Sequence, residues 1–287
     1  MDWPTVSAVV RTFNVECWIG ETLRALRDQR YPGSIEIIVV DSGSTDRTLA
    51  LAAPLADHLI QIPSGSFSFG GALNRGAERA TGDLLLNLSA DATPLGREYL
   101  TTLTAPLKSQ DIAATFGRDC PRPGASPSQA RDNESWFPAG GQLDPATRFS
   151  NANACLRRSV WQQFRFDETF PGAEDREWAS RVLAAGYRIL YAPQATVAHS
   201  HPPFPRDVYR RAFRERRALC KLNPAEGNFG PWLALRFWLG LSYLDFGYAW
   251  RHRYVPKWYL HIPLYRAAQA WGLYRGAQFA RQLQRGS

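Results

Sequence analysis

The chain has 287 residues, 45% of them apolar and 21% charged, an ordinary globular composition that excludes wholesale disorder, collagen and a simple coiled coil. The net charge of +8 points to nucleic acid only until it is divided. Residues 1–205 hold 19 Lys/Arg against 22 Asp/Glu, whereas residues 206–287 hold 15 against 4, together with 17 of the aromatic residues.

The length suits one large domain or two smaller ones. Cys17, Cys120, Cys155 and Cys220 are widely spaced and form no CxxC pair, so reduced thiols are expected rather than a disulfide framework or a zinc cluster. The first residues lack a basic segment followed by a long apolar core, so no signal peptide is expected. The longest apolar stretch, 232–250, is interrupted by Arg236 and Asp245, which argues against a membrane span of about 20 apolar residues.

In chain order, residues 6–10 read as a β-branched strand, 18–26 as an amphipathic helix, and 35–40 as a continuous Ile/Val strand ending at Asp41. Such a run fits a strand covered on both faces. Ser44-Thr45-Asp46 is expected to cap a helix through Leu55. A third strand follows at 58–62, a glycine-bracketed helix at 70–80, and a fourth strand at 83–88 that leads into Ser89-Ala90-Asp91-Ala92. This alternation predicts an α/β fold with ligand sites beyond the C-terminal strand ends, where Asp41 and Asp91 sit. Residues 120–150 read as a long functional loop. A helical turn at 159–164, a helix at 175–185 closed by Gly186, and strands at 188–192 and 195–199 follow. Beyond 205 the pattern is helical, basic and aromatic. The division expected is a catalytic domain, 1–205, and a helical extension, 206–287.

Several residue groups carry chemistry. Asp41 can accept hydrogen bonds from a base or ribose, or merely cap its turn; Asp91 can hold a divalent cation alongside substrate phosphates. Gly70 through Gly76 lets backbone approach a ligand, and Arg75 can meet a phosphate, but the segment is neither a dinucleotide fingerprint nor a P-loop. Glu174-Asp175 opens a helix, which is ordinary capping or the presentation of a base. His199 and His201 share a strand face, and neutral imidazoles can complete a metal site with Asp91.

Taken together, Val9-Val10-Arg11-Thr12-Phe13-Asn14, then Ile38 to Asp46 (IVVDSGSTD), then Gly82-Asp83-Leu84-Leu85 with the Asp91 motif resemble family 2 glycosyltransferases of the GT-A fold. Phe149-Ser150-Asn151, Arg157 to Trp161, Glu174 to Ala179 and Ala195 to His201 look like the bacterial rhamnosyltransferases of that family. The resemblance implies a mostly parallel sheet flanked by helices and inverting transfer from a nucleotide-sugar, dTDP-rhamnose before other nucleotide hexoses. It also implies Mg²⁺ or Mn²⁺ on the diphosphate and a glycan or lipid-linked acceptor of cell-surface polysaccharide. On this resemblance Thr12, Phe13, Asn14, Glu16, Asp41 and Ser42 hold the nucleoside. Gly70, Asn74 and Arg75 meet the donor, Asp91, His199 and His201 meet the metal, and Asp175 with Glu174 supplies the base. Two departures stand out: the acid motif keeps one carboxylate, Asp91, and the position that usually carries Arg before Asn74 is Leu73.

The basic, aromatic tail is expected either to meet a cytoplasmic membrane surface or to pack as helices and an oligomer interface. A non-catalytic homologue that binds nucleotide-sugar is the rival reading. A nucleic-acid binder would leave the first 205 residues without a purpose.

Overall fold

The computed structural model describes residues 3–285. The elements in order are β1 (Val6–Thr12), α1 (Ile19–Arg27), β2 (Ile35–Asp41), α2 (Thr48–Ala52), β3 (His58–Gln61), α3 (Phe69–Arg79), β4 (Leu84–Ser89), β5 (Thr93–Pro94) and α4 (Tyr99–Thr104). Then come β6 (Ile112–Cys120), α5 (Pro127–Trp136), α6 (Pro145–Arg148), β7 (Asn153–Arg157), α7 (Arg158–Gln163), α8 (Glu174–Ala184), β8 (Arg188–Ala198), α9 (Pro205–Leu222), α10 (Pro231–Arg251) and α11 (Lys257–Arg285). The chain divides into two compact units, one of Met1–Cys120, Trp136–Thr169 and Glu174–His199, the other of Pro121–Ser135, Phe170–Ala173 and Ser200–Ser287.

In the first unit all eight strands form one sheet in the order β3-β2-β1-β4-β7-β6-β8-β5. The pairs β1–β2, β1–β4, β2–β3 and β6–β8 are parallel, while β7 runs antiparallel to both β4 and β6. The strands read as unbroken apolar runs because both faces are covered. Ala8, Val10, Ile37, Val39 and Leu86 pack one way against Leu23 and Leu26 of α1; Val9, Ile38, Val40 and Leu85 pack the other way with Leu73 and Trp178. Glycine is required where α3 crosses β1, since a Cβ on Gly76 would stand 2.2 Å from Val9 Cγ1.

Three expectations change. The stretch 120–150 is not a continuous loop, because it contains α5 and α6; its Pro and Ser residues start helices (Pro127, Pro145) instead of breaking them. The two strands expected around Pro193 are one strand, β8, paired to β6 through a register shift at Gly117/Arg118 that absorbs the proline. The helix after Asp46 is short and starts at Thr48, with Asp46 Oδ1 accepting the Thr48 N–H, while the Ser44 hydroxyl turns back to Asp41.

The second unit is helical. Gly272 and Gly276 let α11 lie against α9, where a Cβ would fall 2.5 Å from the Tyr209 carbonyl oxygen and 2.6 Å from that of Phe213. Its centre is polar. Arg266, fully buried, donates to Asp245 (2.6 Å), to Asp132 (2.7 Å) and to the Ser128 carbonyl, and Arg131 also holds Asp245. A guanidinium can be buried this way only because nearly every donor finds an oxygen.

Candidate active site

The C-terminal ends of β1, β2 and β4 meet at a pocket lined by Arg11, Thr12, Phe13, Val15, Ser42, Phe67, Phe69, Ser89, Ala90 and Asp91. Its floor is built from two turns sewn together. Asn14 has a left-handed backbone, φ 48°, which turns its N–H to the Ser44 hydroxyl and its Oδ1 to the Thr45 N–H. Glu16 accepts from Arg47 N–H and its own N–H donates to Asp46. The Asp41 carboxylate is fully buried and accepts from Gly43 N–H, Ser44 N–H and the Ser44 hydroxyl.

Asn14, Glu16 and Asp41 therefore spend polar atoms on shaping the wall, while Thr12, Phe13 and Ser42 form its surface. The Thr12 hydroxyl is buried with no hydrogen-bond partner among the described residues. An unpartnered hydroxyl on a pocket wall is a place where a ligand donor or acceptor can be satisfied. Phe67 and Phe69 pack edge to face at 5.0 Å, and the Arg11 guanidinium lies 5.3 Å from the Phe69 ring centre.

On the opposite side, Asp91 lies two residues past β4. Its Oδ1 is 3.5 Å from His199 Nε2, and His199 Nδ1 is 2.8 Å from Asp119 Oδ2. With Nδ1–H donating to Asp119, the ring presents its Nε2 lone pair on the Asp91 side. A carboxylate oxygen beside an imidazole nitrogen, with a second carboxylate behind the ring, is a donor set that fits a divalent cation. His201 belongs to the second unit, where the Gln129 side-chain amide, oriented to pair both ways, grips its backbone N–H and C=O.

The acids of α8 reach the same region. Trp178 anchors that helix: it is fully buried, stacks on Phe149 at 5.5 Å and donates its indole N–H to the Phe164 carbonyl. One turn earlier, Glu174 is buried, receives Arg11 Nη1 at 3.1 Å and faces Asn151, which in turn takes a hydrogen bond from Asn87 of β4. One guanidinium thus borders the pocket that Asp91 lines and also pairs with Glu174, so acids remote in sequence converge on the end of β1. The Asp175 carboxyl is pushed up to about 7, by burial first and then by the Glu174 carboxylate, against the pull of Arg176 and Arg11. A carboxylic acid poised near neutrality is suited to proton transfer.

The segment 70–75 is placed differently. Asn74 points inward, accepting from the Trp161 indole and Phe166 N–H and donating to the Phe166 carbonyl and Glu168. A Cβ on Gly70 would meet the Asp167 carbonyl oxygen at 2.9 Å. Arg75 is exposed on α3, and none of the three lines the pocket. Arg11 and Asp119 carry no sequence signal of a site: each lies in a strand, and β6, which ends at Cys120, is not apparent from periodicity.

A mixed sheet with strand-end acids around one pocket defines a GT-A glycosyltransferase fold, and solved structures agree. The mannosyltransferase PcManGT from Pyrobaculum calidifontis, in complex with GDP-Man and Mn²⁺, superposes with a TM-score of 0.60 at 22% identity, over 99% of this chain and 76% of that one. Residues 7–159 match the family model Glycosyl transferase family 2, and the chain belongs to that family. It is 30% identical over 222 residues to the O-antigen chain rhamnosyltransferase RfbN of Salmonella typhimurium, covering 72% of this chain and 70% of that protein. It is also 28% identical over 254 residues to an N-acetylglucosaminyltransferase of Bradyrhizobium diazoefficiens, covering 77% and 51% respectively.

Proposed function

We propose that the protein is an inverting rhamnosyltransferase that moves L-rhamnose from dTDP-rhamnose to a glycan or lipid-linked acceptor in cell-surface polysaccharide synthesis. The observation that carries this reading is the convergence at Arg11 of the Asp91 pocket and the Glu174–Asp175 pair. The likeness to O-antigen rhamnosyltransferases favours the sugar.

The nucleoside would lie against Thr12, Phe13 and Ser42, with Asp41, Asn14 and Glu16 holding that wall in shape. Asp91 and His199 would hold Mg²⁺ or Mn²⁺, which when bound offsets the charge growing on the departing diphosphate. Asp175 accepts the proton of the acceptor hydroxyl as that oxygen attacks the anomeric carbon. The bond to the dTDP oxygen breaks on the opposite face, so the configuration inverts. Glu174, held by Arg11, keeps Asp175 basic enough to take the proton. No covalent sugar–enzyme adduct is required.

We place this work on the cytoplasmic side of the membrane, because widely spaced cysteines with no CxxC pair suit a compartment where thiols stay reduced. The likeness to N-acetylglucosaminyltransferases favours a second reading, transfer of another nucleotide hexose. Thermal shift across a panel of nucleotide-sugars with Mn²⁺ tests both, since a bound donor stabilises by mass action. Stabilisation by dTDP-rhamnose above UDP- and GDP-hexoses, with glycoside formed of inverted anomeric configuration by NMR, is expected. Preference for a UDP- or GDP-sugar removes the rhamnosyl assignment; retained configuration removes the single-displacement mechanism.

A further inference from the structure

We infer that the α10–α11 hairpin of the second unit is an interfacial docking surface for an anionic lipid membrane. On α10 the side chains of Trp232, Leu239, Tyr243 and Trp250 fall at i, i+7, i+11 and i+18, one face of a helix. They are 67%, 55%, 78% and 78% exposed. On α11, Leu260 and Trp271 are eleven residues apart, again one face, and 78% and 52% exposed. A monomer in water rarely leaves so many large apolar side chains aligned and bare. The two helices are fixed to each other, since Trp238 donates its indole N–H to the Pro263 carbonyl and Phe246 stacks on Tyr259 at 6.1 Å. The stripes are thus rigid features of a folded hairpin.

Charge selects the occupant. Residues 231–285 contain a single acid, Asp245, and it is fully buried against Arg266 and Arg131. Arg236, Arg251, Arg253, Lys257 and Arg275 are exposed, so every exposed formal charge that these helices carry is positive. A second copy of the chain brought face to face would set cation against cation with no surface carboxylate to neutralise them. A sheet of anionic headgroups over hydrocarbon satisfies both features: aromatics settle at headgroup depth and guanidinium groups meet phosphates. Among the described residues no helix is long and apolar enough to cross a membrane, so the hairpin lies in the interface and does not span it. This inference goes beyond the transferase reading and does not depend on it.

Flotation of the full chain with vesicles of equimolar phosphatidylcholine and phosphatidylglycerol tests it, beside vesicles of phosphatidylcholine alone, at low and high salt. Binding is expected to the anionic vesicles, to weaken at high salt, and to be at least tenfold weaker on the neutral ones. The variant Arg251→Gln/Arg253→Gln/Lys257→Gln should lower the partition coefficient by about a hundredfold. The variant Trp232→Ser/Leu239→Ser/Tyr243→Ser/Trp250→Ser should stay in the soluble fraction while keeping its circular dichroism and a cooperative thermal melt. No flotation of the wild-type chain at low salt overturns the inference, and so does equal binding to neutral vesicles. A stable wild-type oligomer that the serine variant converts to monomer also overturns it, because the stripe is then a subunit interface. Failure of sugar transfer to a soluble acceptor leaves these readouts untouched and counts against the transferase reading alone.

Discussion

In the proposed reaction Asp175 is the base, and its environment has consequences at two levels. Asp175→Asn should lower transfer by about two to four orders of magnitude while dTDP still stabilises the protein; near-normal turnover would remove Asp175 from the base role. In the wild type, kcat/KM should rise along an acid limb near pH 7 and level off above it, because only the carboxylate accepts a proton. The same group shapes stability. Its folded value is raised from the ordinary 3.8 to about 7, so the native state binds the proton more tightly than the unfolded chain. That contribution is fully present below about pH 4 and is lost as pH rises through 7. Denaturant melts of wild type and Asp175→Asn should therefore diverge in favour of the variant between those limits. Asp119 bears on the cation side. Asp119→Asn should weaken Mn²⁺ binding about 10- to 100-fold, read directly from the EPR signal of free Mn²⁺. An unchanged affinity would reduce Asp119 to a packing residue.

Among the elements, α3 and α8 show how local sequence becomes site geometry. Gly76→Ala would drive a methyl group into Val9 at the crossing of α3 and β1. Such overpacking costs about 1–3 kcal/mol, measurable as a lower denaturant midpoint with unchanged m. An unchanged midpoint would show that α3 can slide. The elements legible in the sequence are those whose apolar residues follow one simple period: β1, β2, β3, β4, α1, α3 and α8 all lie within a residue or two of expectation. Illegible elements owe their form to partners distant in the chain. β7 (NACLR) is too short to have a period and exists because β4 and β6 flank it. β8 looks like two strands because Pro193 ends a local pattern; it falls in an irregularity of β8 between Ala192 and Thr196, on either side of which the strand stays paired to β6. At the site, Asp41, Asp91, Asp175 and His199 could be named from position beside turns and helix starts. Asn74 looked like a ligand contact in a glycine-rich segment, yet Trp161 and Phe166, some ninety residues on, claim its amide. Arg11 could not be singled out, since nothing local distinguishes a strand arginine that faces Glu174 from one that faces water.

Across the whole molecule the two units are stabilised by opposite means. The first relies on two apolar layers about a sheet; the second packs helices around Arg266 and the carboxylates of Asp245 and Asp132. Arg266→Met should destabilise the second unit by about 3–5 kcal/mol, because it takes the central cation from two carboxylates at once and leaves the fully buried Asp245 with Arg131 alone. Arg266→Met/Asp245→Leu should recover much of that loss, since an apolar pair of similar volume replaces the ion pair. A single variant that melts like wild type would mean water already reaches the cluster.

The thiols offer a practical handle of a different kind. Cys17 is exposed directly after the Asn14–Glu16 turn, whereas Cys155 and Cys220 are buried, and burial raises both thiols, that of Cys155 well above its ordinary range. A maleimide dye used sparingly should therefore label Cys17 first. Its emission would report occupancy of the neighbouring pocket in real time, with no radiolabelled sugar and no knowledge of the acceptor.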